Sequence, residues 1–205
     1  MSKIIGVINY GSGNYKSLCN ALDFLNINRI EVNSADDLLK SENIILPGVG
    51  TYGNCMERLN YIGLIEPIKK EVLDRKKNFL GICVGMQVLT DFGTEHGNHN
   101  GLGFVAGSTN IMSKSKDMSI PHIGWSSVNI VKNTPLFDSI ENNSDFYFVH
   151  SYCVNVENNS LVSSFVQHGN NIPSSIGCEN IYGVQFHPEK SQRNGLKLLK
   201  NFSKI

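Results

Sequence analysis

Phe79-Leu80-Gly81-Ile82-Cys83-Val84-Gly85-Met86-Gln87 runs through nine residues without a charge and places a cysteine between two glycines. Phe79 to Ile82 reads as a strand buried on both faces, and the sequence after Cys83 is helix-like, so the cysteine stands at the turn between them. The apolar stretch continues to Leu89, but Gly81, Gly85 and Gln87 interrupt it. It is far shorter than the roughly 20 residues a membrane span requires.

Working outward, the first half of the chain alternates strands and helices. Ile4 to Ile8 is a continuous apolar strand, Gly11 to Gly13 a turn, and Leu18, Ala21, Leu22 and Leu25 form the apolar stripe of a helix. Arg29 to Asn33 is a short second strand. Ser34 caps a brief helix carrying Asp36 and Asp37 in its first turn, and Asn43 to Leu46 is the third strand. A glycine-rich loop from Pro47 to Gly53 and a helix carrying Leu64, Ile65, Ile68 and Val72 then lead to Phe79. Buried strands separated by helices imply a parallel sheet. The second half is richer in strands: Phe104 to Ile111, Ser127 to Val131, Phe146 to Val149, Leu161 to Val166 and Ile181 to Phe186, closed by a helix from Gly195 to Phe202. The expectation is one α/β domain over residues 1–205, an open and mostly parallel sheet flanked by helices, with ligands at the carboxyl ends of the strands.

Composition bounds the function. A chain of 205 residues can bury about 70% of its surface without disulfide or metal staples. Lys plus Arg and Asp plus Glu each number 18, so zero net charge offers no field for a nucleic acid or an anionic membrane. Charged residues are only 18% of the chain, below the roughly 25% of typical domains, which fits a surface that is covered in part. The five cysteines are odd in number and scattered, and the opening run MSKIIGVINYGSG lacks a signal peptide's apolar region and cleavage site. A cytoplasmic protein is expected, with Cys19, Cys55, Cys153 and Cys178 as core or incidental thiols.

Cys83 at a strand-to-helix turn has the setting of a nucleophile elbow. Flanking glycines admit the sharp turn, and a helix N-terminus behind the thiol favours the thiolate. In Gln185-Phe186-His187-Pro188-Glu189, at the end of another strand, His187 can serve as general base and Glu189 as its orienter, which completes a Cys-His-Glu triad. In Pro47-Gly48-Val49-Gly50 the glycines let a backbone N–H, at Val49 or Gly50, face a developing oxyanion. All three features lie at strand ends.

With Pro121-His122-Ile123-Gly124-Trp125, His150-Ser151-Tyr152 and the extension of His187-Pro188-Glu189 through Lys190 and Ser191, these motifs resemble the class I (triad) glutamine amidotransferases. Within them the chain is similar, over essentially its whole length, to the glutaminase subunits of imidazole glycerol phosphate synthase. The resemblance implies a flavodoxin-like fold, hydrolysis of glutamine through a Cys83 thioester, and no cofactor or metal. It implies that Gln87, Glu95 and the backbone of Ser151 and Tyr152 hold glutamine. It also implies a heterodimer with a (β/α)8 cyclase that receives the ammonia, with Asn14, Trp125 and Lys190 at the partner interface. Ser126 stands where this family usually carries Asn, and the Gly93 to Asn100 loop is unusual, so a paralogue aminating surface sugars is the alternative.

Three decoys compete. Gly48-Val49-Gly50-Thr51-Tyr52-Gly53 matches a dinucleotide fingerprint but follows the third strand instead of the first. Glu95, His96 and His99 lack the fixed third ligand of catalytic zinc. Lys69, Lys70, Arg75, Lys76 and Lys77 alternate with Glu71 and Asp74 as a solvated helix face.

Overall fold

The computed structural model describes residues 3–114 and 119–205; Met1 and Ser2 of the opening run lie outside them. The first half builds β1 (Ile5–Ile8), α1 (Tyr15–Phe24), β2 (Arg29–Val32), α2 (Ala35–Lys40), β3 (Asn43–Gly48), α3 (Tyr52–Tyr61), α4 (Ile65–Lys69), β4 (Asn78–Cys83) and α5 (Val84–Gln87). Beyond it come β5 (Thr90–Gly93), β6 (His99–Asn100), β7 (Val105–Ile111), β8 (His122–Ile130), β9 (Ser144–His150), β10 (Tyr152–Val156), β11 (Val162–His168), β12 (Asn170–Cys178), β13 (Ile181–Val184) and α6 (Gln192–Phe202). One nine-stranded sheet has the order β2-β1-β3-β4-β13-β12-β11-β8-β9, and a four-stranded sheet has the order β10-β7-β5-β6.

The α/β expectation holds, but the large sheet is mixed instead of mostly parallel: part of the β-rich second half extends it, and β7 and β10 join β5 and β6 in the separate four-stranded sheet. Strands β2, β1, β3, β4 and β13 pair in parallel, while β12, β11, β8 and β9 continue the ladder antiparallel. Alternate residues on the parallel strands feed two cores, one on each face. On β3, Ile44 and Leu46 pack with α3 and α4 through Tyr52, Leu59 and Ile68, whereas Ile45 packs with α1 and α6 through Leu22 and Phe202. The far edge curls back over the parallel half: the His187 N–H donates to the Tyr147 carbonyl of β9 at 2.9 Å, and the Phe146 and Phe186 rings stack at 4.1 Å.

Several local expectations are corrected. The glycine-rich loop is confined to residues 49–51, because β3 continues through Gly48 and α3 starts at Tyr52, capped by the Thr51 hydroxyl. Glycines at 48 and 53 masked these two elements. The helix carrying Ile65 and Ile68 passes into a π-helical turn at Lys70–Asp74. Its face is not uniformly solvated: Glu71 is buried and pairs with Lys77 at 2.8 Å and Arg75 at 2.7 Å, so loss of either partner strands a charge. The Gly93 to Asn100 segment is a hairpin of β5 and β6, and α6 begins three residues before Gly195.

Glycines 81 and 85 let α5 lie directly on the strands. A Cβ at Gly81 would come within 2.3 Å of the Gly85 carbonyl oxygen, and one at Gly85 within 2.0 Å of the Leu46 carbonyl oxygen. Both obstacles are backbone, which cannot rotate away. Gly85→Ala is therefore expected to destabilise the fold by about 1–3 kcal/mol or more, read as a lower midpoint in urea unfolding; an unchanged midpoint would disprove the close-packing account.

Candidate active site

Cys83 ends β4 with φ 54° and ψ −109°, a left-handed backbone that a side chain with a Cβ adopts only under constraint. This is the elbow geometry expected of a nucleophile. The helix behind it is a single turn, Val84–Gln87, shorter than the sequence implied, so its support for an anion is limited to the few N–H groups of that turn. The Val84 N–H, directly after the nucleophile, belongs to the oxyanion set of such an elbow. That donor is implicit in the motif and was missed by sequence reasoning.

His187 and Glu189 expose none of their side chains, and Nδ1 of the imidazole meets Oε1 of the carboxylate at 2.8 Å. Nε2 is buried and unpartnered among the described residues, which leaves it for the nucleophile. Burial disfavours the imidazolium, but Cys83 and Glu189 outweigh burial and lift His187 to about 10. Burial likewise opposes the Glu189 carboxylate, and His187 and Asn14 hold its pKa below the usual value. Asn14, expected at a partner interface, is instead buried. Its amide donates to Glu189 Oε1 at 2.9 Å, and its oxygen accepts from the Ser12 hydroxyl at 2.6 Å. Ser12 Oγ in turn accepts the Val49 N–H at 3.2 Å, so a chain of hydrogen bonds joins the acid to the oxyanion loop. Gly50 has φ 109°, open only to glycine without strain.

A cavity of about 440 Å³ opens over the cysteine, lined among others by Val49, Gly50, Cys83, Gln87, Glu95 and Tyr152. Gln87 donates to the Tyr152 carbonyl at 3.0 Å and to Gln185 Oε1 at 3.2 Å, and Gln185 donates to Cys83 Sγ at 3.6 Å. Gln185 was quoted in the sequence motif but given no role there. Its place two residues before His187 on an extended segment was the available signal. Glu95 lines the cavity and accepts the Tyr52 N–H at 2.8 Å, capping α3. The Ser151 and Tyr152 carbonyls are engaged inside the protein, with Met112 N–H and with Gln87 and His150 respectively.

Lys190, in the cavity lining, lies 5.9 Å from the Tyr147 ring centroid, and half-exposed Trp125, outside that lining, meets the same ring edge-on at 5.9 Å. Exposed Ile123 shares that face of β8. The fingerprint decoy acquires another explanation. The first-turn N–H of α3 is occupied by a carboxylate, which repels phosphate, and the His99 ring fills the space a Cβ at Gly53 would need. No cluster of three or more potential metal-binding side chains exists among the described residues, and no helix there is long and apolar enough to cross a membrane.

Two more histidines are linked at the cavity, His150 in its lining and His122 beyond it. His150 Nδ1 meets the Tyr152 carbonyl at 2.9 Å, His122 Nδ1 meets His150 Nε2 at 3.1 Å, and His122 Nε2 meets Ser126 Oγ at 2.9 Å. Burial lowers His122 to about 4, helped by His168. Burial also lowers His150 to about 3, where the Tyr152 carbonyl opposes the shift and His122, His168 and His187 add to it.

Residues 6–205 match the family described as glutamine amidotransferase class-I. The chain is 40% identical over 202 residues, 98% of its length and all of the relative's, to imidazole glycerol phosphate synthase subunit HisH 1 of Campylobacter jejuni. It is 43% identical over 203 residues, again 98% of this chain and 100% of the relative, to the HisH subunit of Methanocaldococcus jannaschii. Among solved structures, PurLQS from Thermotoga maritima superposes with a TM-score of 0.76 at 21% identity, covering 100% of this chain and 99% of that one, a likeness of fold.

The two neutral histidines set an acid limit on stability. Unfolded imidazole takes up a proton near 6.5, whereas His122 and His150 resist protonation down to about 4 and 3. The unfolded chain therefore binds more protons below pH 6.5, and stability falls as pH drops through that window. His187, lifted to about 10, acts in the opposite sense: its contribution is complete below pH 6.5 and is lost as pH rises. The melting temperature is expected to decrease steadily from pH 7 to 4.5 and to decrease less in His150→Phe. Equal slopes in the two proteins would remove His150 from the account.

Proposed function

The chain belongs to the class-I glutamine amidotransferase family, and we propose that it is the glutaminase subunit of an imidazole glycerol phosphate synthase, supplying ammonia for histidine biosynthesis. The observation that carries this reading is a cavity lined by Cys83, Gln87 and Glu95, with a buried His187–Glu189 pair whose imidazole is raised by Cys83. Cys83 Sγ attacks the side-chain amide carbon of glutamine. His187 Nε2 carries the thiol proton and delivers it to the departing nitrogen, so that ammonia leaves and a γ-glutamyl thioester remains. Water then attacks the thioester with His187 as base, releasing glutamate. Glu189 holds the imidazole by Nδ1 and stabilises its charged form. Negative Glu95 and the Gln87 carboxamide are suited to the ammonium and amide ends of an amino acid.

The relatives' names describe a subunit, and the names support the histidine pathway over surface-sugar amination. We assign the partner as a (β/α)8 cyclase that covers Trp125 and Lys190 and receives ammonia from the cavity that Lys190 lines. Asn14 is withdrawn from that interface and assigned to the triad.

The Val49 N–H is hydrogen-bonded to Ser12, which supports a resting oxyanion loop that the partner rearranges. A misdirected donor costs roughly 100- to 1,000-fold in rate, and a partner shifts the loop only by binding the active arrangement more tightly. Steady-state glutamine hydrolysis is expected to be slow for the chain alone, faster with the cyclase and fastest with the cyclase and its ligand. Equal rates in all three would mean a permanent oxyanion hole. A diazo-ketone analogue of glutamine is expected to add once per chain, at Cys83, as read by peptide mass spectrometry; labelling that persists in Cys83→Ala would refute the nucleophile.

A further inference from the structure

The contacts at the cavity allow one assignment of hydrogens. The Tyr152 carbonyl can only accept, so the His150 nitrogen that faces it, Nδ1, carries a proton. Neutral His150 then has a bare Nε2, which accepts from His122 Nδ1–H. Neutral His122 has a bare Nε2 in turn, which accepts from the Ser126 hydroxyl. Every link donates in the same direction, from Ser126 toward Tyr152. The second donor on the Tyr152 carbonyl is the Gln87 amide nitrogen, whose other hydrogen goes to Gln185 Oε1. With both hydrogens engaged, Gln87 has only its oxygen to offer the cavity. Gln185, accepting through its oxygen, must present its own nitrogen to Cys83 Sγ.

The rings are held as well as bonded. His122 stacks on Phe148, with centroids 4.7 Å apart, and on His168, at 4.0 Å, both with ring planes nearly parallel to its own. His168 is itself tied through Nε2 to the Ser119 carbonyl. Burial keeps His122 and His150 uncharged at neutral pH, as this arrangement of hydrogens requires.

We infer that His150 and His122 are positioning residues for substrate glutamine: they hold the Tyr152 carbonyl, and through it the Gln87 carboxamide, with the amide oxygen turned to the cavity. The role rests on the glutaminase reading, but the assignment of hydrogens does not. His150 lines the cavity, but the hydrogen bonds of the pair run to Ser126, to each other and to Tyr152, away from Cys83 and His187, so their loss weakens glutamine binding more than turnover.

The first arm is nitrogen-15 NMR of the histidine rings in the purified chain at neutral pH. Both rings are expected to be neutral with the proton on Nδ1; a His150 ring protonated on Nε2, or charged, would overturn the inference whatever the chain catalyses. The second arm is glutamine hydrolysis by the chain saturated with its cyclase. His150→Phe keeps the ring volume without a donor and is expected to raise KM for glutamine at least tenfold while kcat changes less than threefold. His150→Asn, whose amide nitrogen can reach the Nδ1 position, is expected to return KM to within threefold of the parent. His150→Gln, whose nitrogen lies nearer Nε2, is not. An unchanged KM in His150→Phe, equal rescue by Asn and Gln, or a loss confined to kcat would each overturn the positioning role. Should the phenylalanine variant fail to fold, the Asn and Gln pair carries the comparison. If the parent complex releases no glutamate, the glutaminase reading fails while the ring tautomers still decide the hydrogen-bond assignment.

Discussion

At Cys83 a residue with a full side chain is held at φ 54°, and the hold comes from backbone packed on backbone. α5 approaches β3 and β4 so closely that the sites of the absent Cβ atoms at Gly81 and Gly85 fall within 2.3 Å of carbonyl oxygens. Gly183 on β13 is crowded by the Met86 side chain, and Gly48 on β3 by the Tyr10 and Val84 side chains. The thiol thus stands at the top of the sheet on a turn that cannot relax, between the two strand ends that lead to the oxyanion loop and to His187.

Around that point the protein uses one residue type in two opposite electrostatic states. His187 is buried beside a carboxylate and a thiol, and those partners overcome desolvation so that the proton is held tightly. His150 is buried with a carbonyl and another imidazole, no anion compensates, and the ring stays neutral. Burial opposes the charged form in both, and the partners decide the outcome. A charged ring suits proton delivery, whereas a neutral ring, a donor on one side and an acceptor on the other, suits a relay of hydrogen bonds.

The loop at Val49 and the Glu189 carboxylate are not independent parts. Glu189, Asn14, Ser12 and the Val49 N–H form one hydrogen-bonded series. A displacement at either end is felt at the other, because each member is buried or partly buried and has few alternative partners. Trp125 and Ser126 occupy opposite faces of β8, so the strand bearing the exposed aromatic also anchors the histidine pair. A subunit seated on that face would rest on the same strand that supports the glutamine cavity.

The elbow, the His-x-Glu pair and the α/β order of the first half were legible in the sequence because each depends on residues close together in the chain: glycines two either side of Cys83, a proline between His187 and Glu189, apolar runs of strand length. The second half was read less well. β5, β6, β10 and β12 went unrecognised, and β8 was begun five residues late, because short strands, and strands with Ser, Asn and Gly among their apolar residues, lack a clear run of strand formers; in β12 even buried positions are Ser174 and Ser175. What no local reading could supply was partnership. Asn14 was expected at a partner interface until the fold brought it to Glu189, 175 residues away, and Glu71 looked solvated until the chain after the π turn brought Lys77 against it. Gln185 and His150 were plain members of motifs until tertiary packing aligned their donors with one carbonyl and one sulfur. Sequence determines which groups are available and which strand ends present them; only the folded chain decides which buried groups meet, because desolvation and hydrogen-bond direction are properties of neighbours in space.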